Sequence, residues 1–294
     1  MEWENLAVVE IKSLTKEDRK QEALSDWTIN FEAGTINALC TNGPNSINIL
    51  FALLLGQEKI MKDAIHINGL DAYKQRKKLA AQIGYQNEEV VLAKHGDVLQ
   101  LLTTTIKKSD QAVTLEQAKQ IVNQFGIKLN ARVADLAQGQ KQQLGIIMMT
   151  IQKLPLLLLE QATSLMDDSQ RKATWQLLHD YVQKMNATVL FASERFDELQ
   201  RFADQIVYIR NGKITNQREL PTHDSVDCMV TITGTGFPIE LAESLGAHII
   251  QEAQTETKLI FSGNIQVLLP LLEKTTITDV RIQDAEIDDE LMIF

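Results

Sequence analysis

The chain has 294 residues, of which 44% are hydrophobic, and this is enough for one large domain together with a smaller one. A formal net charge of -10 excludes a broad basic surface, so we expect no binding of nucleic acid, whose phosphates such a chain repels. Cys40 and Cys228 are far apart and lack a CxxC spacing, which favours a reduced cytoplasmic protein without a disulfide framework or a metal site.

The first third of the chain has the pattern of short strands joined by turns. Its predicted strands share alternating or continuous apolar residues and lie at residues 6–12, 27–31, 35–40 and 82–85. A further strand with its turn is predicted at residues 64–71, followed by a charged helix that ends at Ala81. A charged turn at residues 15–21 separates the first two strands, and an apolar helix at residues 46–55 follows the third. From about residue 87 to residue 150 the apolar spacing is mostly helical.

Strands and helices alternate again after this helical part. The predicted strands are residues 156–159, 188–192 and 205–209, and the predicted helices are residues 169–185 and 195–202. The first of these strands is uniformly apolar, as expected for a strand that is covered on both faces. The order predicts an α/β fold, in which helices cover both faces of a mixed, largely parallel sheet.

The C-terminal part has a pattern of its own. Residues 220–225 are polar and have the composition of a linker, and beyond them we predict the order βαββαβ followed by a terminal helix. We therefore predict a large α/β domain at residues 1–219, with a helical subdomain at about 88–150. A small α/β domain at residues 226–294 follows the linker.

Residues 38–56 have the layout of a P-loop, because an apolar strand leads through a turn rich in Asn, Gly, Pro and Ser into an apolar helix. The lysine of that motif is missing: no Lys or Arg lies between Lys20 and Lys59. A lysine about 4 Å from a phosphate oxygen contributes on the order of 4 kcal/mol at a partly exposed site. The stretch predicts a nucleotide-binding scaffold with a weakened grip on phosphate.

The most specific stretch is residues 134–167, ADLAQGQKQQLGIIMMTIQKLPLLLLEQATSLMD. Together with IGY at residues 83–85 and IVYIRNGKI at residues 206–214, it resembles the ATP-binding subunit of an ABC transporter, from the signature sequence to the D-loop. The resemblance covers nearly the whole chain and implies the ABC-type nucleotide-binding fold of P-loop NTPases. Residues 278–294 resemble the end of the βαββαβ appendage of drug, bacteriocin or lantibiotic exporter ATPases.

The resemblance assigns the positions of the phosphate loop in one of two registers. Aligning the end of the helix places Ile47 at the lysine and Asn48 at the magnesium-binding hydroxyl. Matching Gly-Pro-Asn literally places Ile49 and Leu50 there instead. The candidate nucleotide loop comprises Thr41, Asn42, Gly43, Pro44, Asn45, Ser46, Ile47 and Asn48. Either register loses the lysine, and a proline at position 44 offers no N–H to an anion.

The resemblance also assigns the hydrolytic positions. Glu160 stands for the Walker B aspartate and is one methylene longer, and Gln161 stands for the catalytic glutamate. An amide cannot accept a proton from the attacking water, so a contribution of about 10² to 10⁴ in rate is lost. The switch histidine is replaced by Glu194, which aims a negative charge at a phosphate. The Q-loop position falls near Glu88.

Further positions concern adenine and the partner subunit. The adenine-stacking aromatic of the family falls near Asp18, where the sequence KEDRKQ has no aromatic residue. The signature sequence is replaced by Leu136, Ala137, Gln138, Gly139 and Gln140, which lose a hydroxyl and one glycine. Asp167 corresponds to the D-loop at a subunit interface, and an ordinary helix N-cap explains the same residue equally well.

We therefore predict a degenerate, non-hydrolysing ATP-binding-cassette subunit of an exporter, with weak or absent binding of ATP and Mg²⁺. The resemblance implies an integral membrane permease as partner, an intact ABC ATPase subunit or a second copy as the other cassette, and a peripheral location at the inner face of the membrane. The chain lacks a secretory signal and any apolar run near the ~20 residues that span a bilayer. Two alternatives stay open: a stand-alone regulatory or scaffold pseudo-ATPase, and an active ATPase with an atypical site.

Overall fold

The computed structural model describes residues 7–18, 21–41, 43–61, 63–90, 92, 96–109, 112–220, 227–262, 265–272 and 275–293. Contacts divide the chain into two compact units. The first unit contains residues 1–38, 43–193 and 211–213, and the second contains residues 39–42, 194–210 and 214–294. In the described ranges, no helix combines the length and the apolarity needed to cross a membrane.

The first unit contains an antiparallel sheet of order β2-β1-β4-β5. Its strands are β1 (Ala7–Asp18), β2 (Gln21–Glu32), β4 (Ile65–Ile67) and β5 (Leu70–Asp71). The predicted turn at residues 15–21 is wrong in extent, because β1 continues to Asp18 and β2 begins at Gln21. Lys16 lies opposite the buried Leu24, whereas Glu17 and Asp18 pair with the polar Glu22 and Gln21, so backbone pairing continues the hairpin through charged residues.

The first unit also contains four neighbouring strands of a parallel sheet, in the order β3-β8-β7-β6. These are β3 (Ile36–Cys40, of which Ile36, Asn37 and Ala38 pair with β8), β6 (Ile83–Gln86), β7 (Leu156–Glu160) and β8 (Thr188–Ala192). Leu156, Leu157, Leu158 and Leu159 of β7 are buried, as their apolar run predicted, and β3 and β8 are also buried along their whole length. The helices of this part are α1 (Pro44–Leu54), α2 (Arg76–Leu79) and α6 (Asp168–Met185).

A helical group lies between β6 and β7 in the chain and has an apolar core of its own. It contains α3 (Val98–Lys107), α4 (Leu115–Gln124), a 3-10 turn (Val133–Asp135) and α5 (Gln138–Ile151). Leu102, Val122 and Leu144 belong to the common core. The N-caps Asp97 and Thr114 accept hydrogen bonds from the first turns of α3 and α4.

The second unit contains α7 (Phe196–Phe202), β9 (Gln205–Arg210), most of β10 (Lys213–Glu219) and the C-terminal elements. The latter are β11 (Cys228–Thr235), α8 (Ile239–Ser244), β12 (Ala247–Glu252), β13 (Glu256–Phe261), α9 (Leu269–Leu272), β14 (Thr276–Asp284) and α10 (Ile287–Ile293). Their sheet is antiparallel, with the order β12-β13-β11-β14. The predicted βαββαβ order is confirmed, and its strand order is that of the split β-α-β fold.

Asp227 fastens the start of β11 within the second unit. Its carboxylate is 2% exposed and accepts two hydrogen bonds from Arg218, the shorter of 2.5 Å, and its backbone N–H donates to Gln200. Burial opposes the charge of Arg218, but the paired carboxylate raises the pKa of the guanidinium above its ordinary value. Except for Leu220, the predicted linker at 220–225 lies outside the described residues. The predicted division into residues 1–219 and 226–294 stays a prediction.

Candidate nucleotide site

The turn between β3 and α1 is three residues long. The strand ends at Cys40 and the helix begins at Pro44, with Gly43 as an N-cap that makes no side-chain capping bond. Asn42 lies outside the described residues. The P-loop pattern places four residues between its first glycine and the glycine-lysine pair, so that backbone N–H groups can surround the phosphates. This turn is too short for that path, and the first helical residue, Pro44, has no N–H to donate.

The side chain at the lysine position is apolar and buried in either register. Ile47 is 2% exposed and Ile49 is 7% exposed. Asn48 is exposed, whereas Leu50, its counterpart in the other register, is fully buried. In either register, the side chain at the position where a P-loop presents its lysine is therefore turned into the protein interior.

Ser46 stands where the motif has a glycine, and its hydroxyl has a partner inside the protein. Its side chain is buried, and Oγ donates a hydrogen bond of 2.9 Å to the backbone oxygen of Ala23 in β2. The bond ties the first turn of α1 to the antiparallel sheet. It contributes to the fold about as much as an ordinary buried hydrogen bond, on the order of 1 kcal/mol.

Glu160 ends β7, and its carboxylate also has an internal partner. The Tyr85 hydroxyl donates a hydrogen bond of 2.7 Å to Glu160 Oε2. The Tyr85 ring packs edge-on against Phe51 of α1, with ring centroids 6.1 Å apart. Burial, reinforced by this hydrogen bond and by the charge of Glu160, raises the pKa of Tyr85 above its ordinary value.

These residues do not fit Mg²⁺ bound to a nucleotide in the manner of a P-loop. That chemistry uses a Ser or Thr hydroxyl, a carboxylate and a lysine. Here the corresponding hydroxyl position carries Asn48 or Leu50, the carboxylate of Glu160 binds Tyr85, and the lysine is absent. No step of a mechanism can be assigned to a metal held by this set.

Gln161, at the position predicted for the catalytic base, is held by hydrogen bonds of its backbone. Its φ of 50° lies in the left-handed region, which is uncommon for a residue with a side chain. The N–H donates to the oxygen of Ala192 at 2.9 Å, and the backbone oxygen accepts from the Ser164 N–H at 3.2 Å and from the Gln142 side chain at 3.4 Å. The bend after β7 is therefore fixed by contacts that do not depend on the chemistry of the Gln161 side chain.

The first part of the signature segment faces solvent and the second part packs inside. Ala137 and Gln138 are exposed at the start of α5, whereas Leu136 is buried. A Cβ added at Gly139 would lie 2.6 Å from the backbone oxygen of Leu165, so only glycine fits this approach. Gln140 closes the first turn by accepting a hydrogen bond from the N–H of Ala137.

Asp167 is the N-cap of α6. Its carboxylate accepts hydrogen bonds from the Gln170 N–H at 2.8 Å and the Ser169 hydroxyl at 2.7 Å, and Gln170 bonds back to the Asp167 N–H. The Gln170 bond, followed by the Ser169 bond, lowers the pKa of Asp167 below its ordinary value. The role of Asp167 at a subunit interface stays a prediction.

Gln142 is the centre of a buried hydrogen-bond network that sequence reasoning missed. The residue is 0% exposed. Its Nε2 donates to the Glu88 backbone oxygen at 3.2 Å and to Ser164 Oγ at 3.3 Å, in addition to the Gln161 oxygen, and its Oε1 accepts from the Leu165 N–H at 3.0 Å. Both polar atoms of this buried amide are hydrogen-bonded, and these bonds join α5 to the segments that follow β6 and β7.

Gln86 continues the network from the end of β6. Its Nε2 donates to the backbone oxygens of Gln142, at 3.1 Å, and Ala162, at 3.2 Å. The Glu88 carboxylate, predicted near the Q-loop position, accepts from the Ser164 hydroxyl at 3.2 Å. The sequence signal for these contacts was the pair Gln142 and Gln143 directly before the apolar run of α5, and the partners of this pair are far away in the chain.

The remaining predicted positions are Glu194, Thr41 and the turn near Asp18. Glu194 is exposed and Thr41 is partly exposed, and both belong to the second unit. Asp18 is the last residue of β1 and pairs with Gln21, and nothing is described of its side chain. Residues 19 and 20, which complete the predicted adenine turn, lie outside the described residues.

Known proteins resemble this chain in sequence. A family model described as ABC transporter matches residues 27–164. The methionine import ATP-binding protein MetN 2 of Paraburkholderia xenovorans (strain LB400) is 24% identical over 252 residues, 81% of this chain and 65% of that protein. The ABC transporter ATP-binding protein YtrB of Bacillus subtilis (strain 168) is 24% identical over 218 residues, 72% of each chain. The match spans just under two thirds of the length of the first of these relatives.

Solved structures show the same fold. The ATP-binding subunit of an ABC transporter superposes with a TM-score of 0.65 at 19% identity, covering 72% of this chain and 90% of that one. The dimeric ATP-binding cassette MJ0796, bound to ADP and Pi, gives a TM-score of 0.62 at 18% identity and covers 72% and 98%. The fold is that of the ABC-type nucleotide-binding P-loop NTPases. The family model covers a little under half of the chain, and the chain shares the fold of these ATP-binding subunits.

Proposed function

We propose that this chain is a non-hydrolysing cassette subunit of an ABC transporter. The observation that carries the proposal is the start of α1, where the turn is three residues long and the lysine position is a buried isoleucine in either register. A cassette transfers the energy of ATP only if it can hold the phosphates and activate water. This chain lacks the residues for both steps.

The loss of hydrolysis rests on two further positions. Gln161 has an amide where a general base is needed, and an amide has no basic site at neutral pH. Glu194 has a carboxylate where the family has a switch histidine, and its charge opposes a phosphate. These changes concern separate segments, so restoring one of them is not expected to restore turnover.

Binding of ATP with Mg²⁺ is weak or absent in this proposal. Losing an interaction of about 4 kcal/mol corresponds to about a thousandfold in affinity. The Tyr85 hydroxyl occupies one acceptor site of Glu160 Oε2, which leaves the carboxylate fewer sites for a metal. In this proposal the chain acts by binding partner proteins and not by binding nucleotide.

The partners we propose are a membrane permease and a second cassette with an intact site. The permease would contact the helical group around α3, α4 and α5, which lies between the Q-loop position and the signature in the chain. The exposed Ala137 and Gln138 would face the nucleotide of the intact cassette, without the hydroxyl of the family signature. The MJ0796 cassette, which is described as a dimer, has the same fold.

The direction of transport and the location belong to the same proposal. The C-terminal βαββαβ domain resembles that of drug or bacteriocin exporter ATPases, and this resemblance supports an exporter at the inner face of the cell membrane. MetN 2, at 24% identity, is named an import protein. A transport assay in inverted vesicles separates the two directions, because an exporter moves its cargo into such vesicles and an importer out of them.

The experiment that tests the proposal combines nucleotide titration with phosphate release. We expect the purified chain to show no saturation by Mg-ATP in the micromolar range and no release of phosphate. The variant Q161E restores the carboxylate at the base position and is the matched control. Micromolar binding of Mg-ATP, or turnover by Q161E, would contradict the proposal, since either requires a working phosphate loop.

A further inference from the structure

The outer edge of β14 is the open end of the C-terminal sheet. In the described residues β14 pairs with β11 alone, and the sheet order places it last. The strand is nine residues long, and most of its residues are exposed. An edge of this length presents a row of backbone N–H and C=O groups that another strand can pair with.

The two edges of this sheet differ in their neighbours. At the other edge, α8 and α10 both contact β12. β14 has neither proline nor lysine, the residues that commonly block an edge. Ile282 is 47% exposed although it lies opposite Val230, on the face that carries the core of the domain. The edge is therefore long, unblocked and partly apolar.

We propose that β14 pairs antiparallel with β14 of a second copy of this chain, so that two four-stranded sheets join across a two-fold axis. A two-fold axis perpendicular to the sheet keeps the core face of both copies on the same side, so only residues of the same face can lie opposite each other. Val280 and Ile282 lie on the core face, whereas Asp279 and Arg281 lie on the other face.

Charge complementarity selects the register. If the axis passes through Val280, Asp279 of each copy lies opposite Arg281 of the other, and both residues lie in the part of β14 that pairs with β11 without a register shift. An axis through Asp279 or Arg281 would place like charges opposite each other, and an axis through Ile282 would place Val280 opposite Asp284. Opposite charges in facing positions stabilise a strand pair and like charges destabilise it. The pairing centred on Val280 is the one that the sequence of β14 favours.

The charged side chains are available for this contact. Asp279 and Arg281 have side chains that are 51% and 80% exposed, and they are joined within the strand by a hydrogen bond of 3.1 Å. In the paired arrangement the two copies bring two acids and two bases together on one face. A pair of edge strands buries less surface than a standard interface, so we expect a dimer that depends on protein concentration.

Sedimentation of the full chain without nucleotide tests the proposal. We expect a monomer–dimer equilibrium in the wild type. D279R and R281D each place like charges opposite each other twice by symmetry, and each should weaken the dimer about tenfold. The double variant D279R/R281D exchanges the two charges and should restore the dimer. Far-ultraviolet circular dichroism and thermal unfolding of each variant show whether the fold is retained.

Disulfide cross-linking fixes the register, in a C228S background that removes the cysteine on β11. V280C should cross-link to its own copy, because facing Cβ atoms lie about 5 Å apart. T278C is the matched control: the two Thr278 positions are separated by four residues along the strand, about 13 Å. A wild-type monomer at all concentrations, single charge variants that dimerise like the wild type, or equal cross-linking of V280C and T278C would overturn the proposal.

Discussion

The start of α1 and the start of α5 differ in what fills them. At α1, the positions that meet a phosphate in a P-loop carry buried aliphatic side chains, and the turn before them is short. At α5, the buried Gln142 retains a partner for each polar atom of its amide, and Gln86 extends the network. The difference teaches that the catalytic chemistry and the scaffold that supports it are separable. The surface next to the signature segment is held by contacts that need no nucleotide.

The largest expected effect concerns the lysine position. I47K or I49K places a cation in a buried site, where the pKa of a lysine falls by about three units, and this corresponds to a loss of about 4 kcal/mol in the free energy of unfolding. Urea denaturation measures the loss. The control N48K, at an exposed position of the same helix, should stay within about 0.5 kcal/mol of the wild type. If I47K or I49K instead gained binding of Mg-ATP, α1 would still border a phosphate site.

The next effect concerns the buried amide. Q142L removes the partners of the Leu165 N–H and the Glu88 oxygen, and each buried group left unpaired costs about 1 to 3 kcal/mol. We therefore expect a loss of about 3 kcal/mol in urea denaturation. Q138A, one turn earlier and exposed, is the control and should change stability by less than about 0.5 kcal/mol. Equal effects of Q142L and Q138A would show that the network does not support α5.

A smaller effect concerns Tyr85 and high pH. Y85F removes the hydrogen bond to Glu160, and at this partly exposed site we expect a loss of about 1 kcal/mol. The folded pKa of Tyr85 lies above that of the unfolded chain, so its contribution is fully present below about pH 10 and declines as the pH rises further. Thermal unfolding between pH 8 and pH 11 should therefore show a shallower loss in Y85F. Burial also raises the pKa of Tyr181, so part of the decrease in stability at high pH should remain in Y85F.

The smallest effect concerns the cap of α6. D167A removes the acceptor for the Gln170 N–H and should lower the midpoint of thermal unfolding slightly, whereas D167N retains an N-cap oxygen and should lower it less. Because the pKa of Asp167 is lowered in the folded protein, the advantage of the wild type over D167N should vanish as the pH falls through about 4 and below. An unchanged midpoint in D167A would favour the subunit interface as the reason for an acid at this position.

Local patterns predicted most of the elements. The strand predicted at residues 188–192 is β8 with the same bounds, and the helix predicted at 169–185 is α6. The charged turn predicted at residues 15–21 was wrong in extent, because backbone pairing continues through the polar pairs Glu17–Glu22 and Asp18–Gln21. The charged helix predicted to end at Ala81 is only Arg76–Leu79. The strand β10 was missed because its sequence, KITNQRE, contains a single apolar residue and so gives no alternating apolar pattern.

By itself, the sequence determined which side chains stand at the candidate nucleotide site. The missing lysine, the amide of Gln161 and the carboxylate of Glu194 follow from residue types, since a side chain that is not present cannot be supplied by folding. Only the tertiary structure decided where the remaining groups point. It placed Ile47 in the core, surrounded Gln142 with partners from distant segments and left the edge of β14 open. Burial and hydrogen-bond partners depend on residues far apart in the chain, and local patterns carry no record of them.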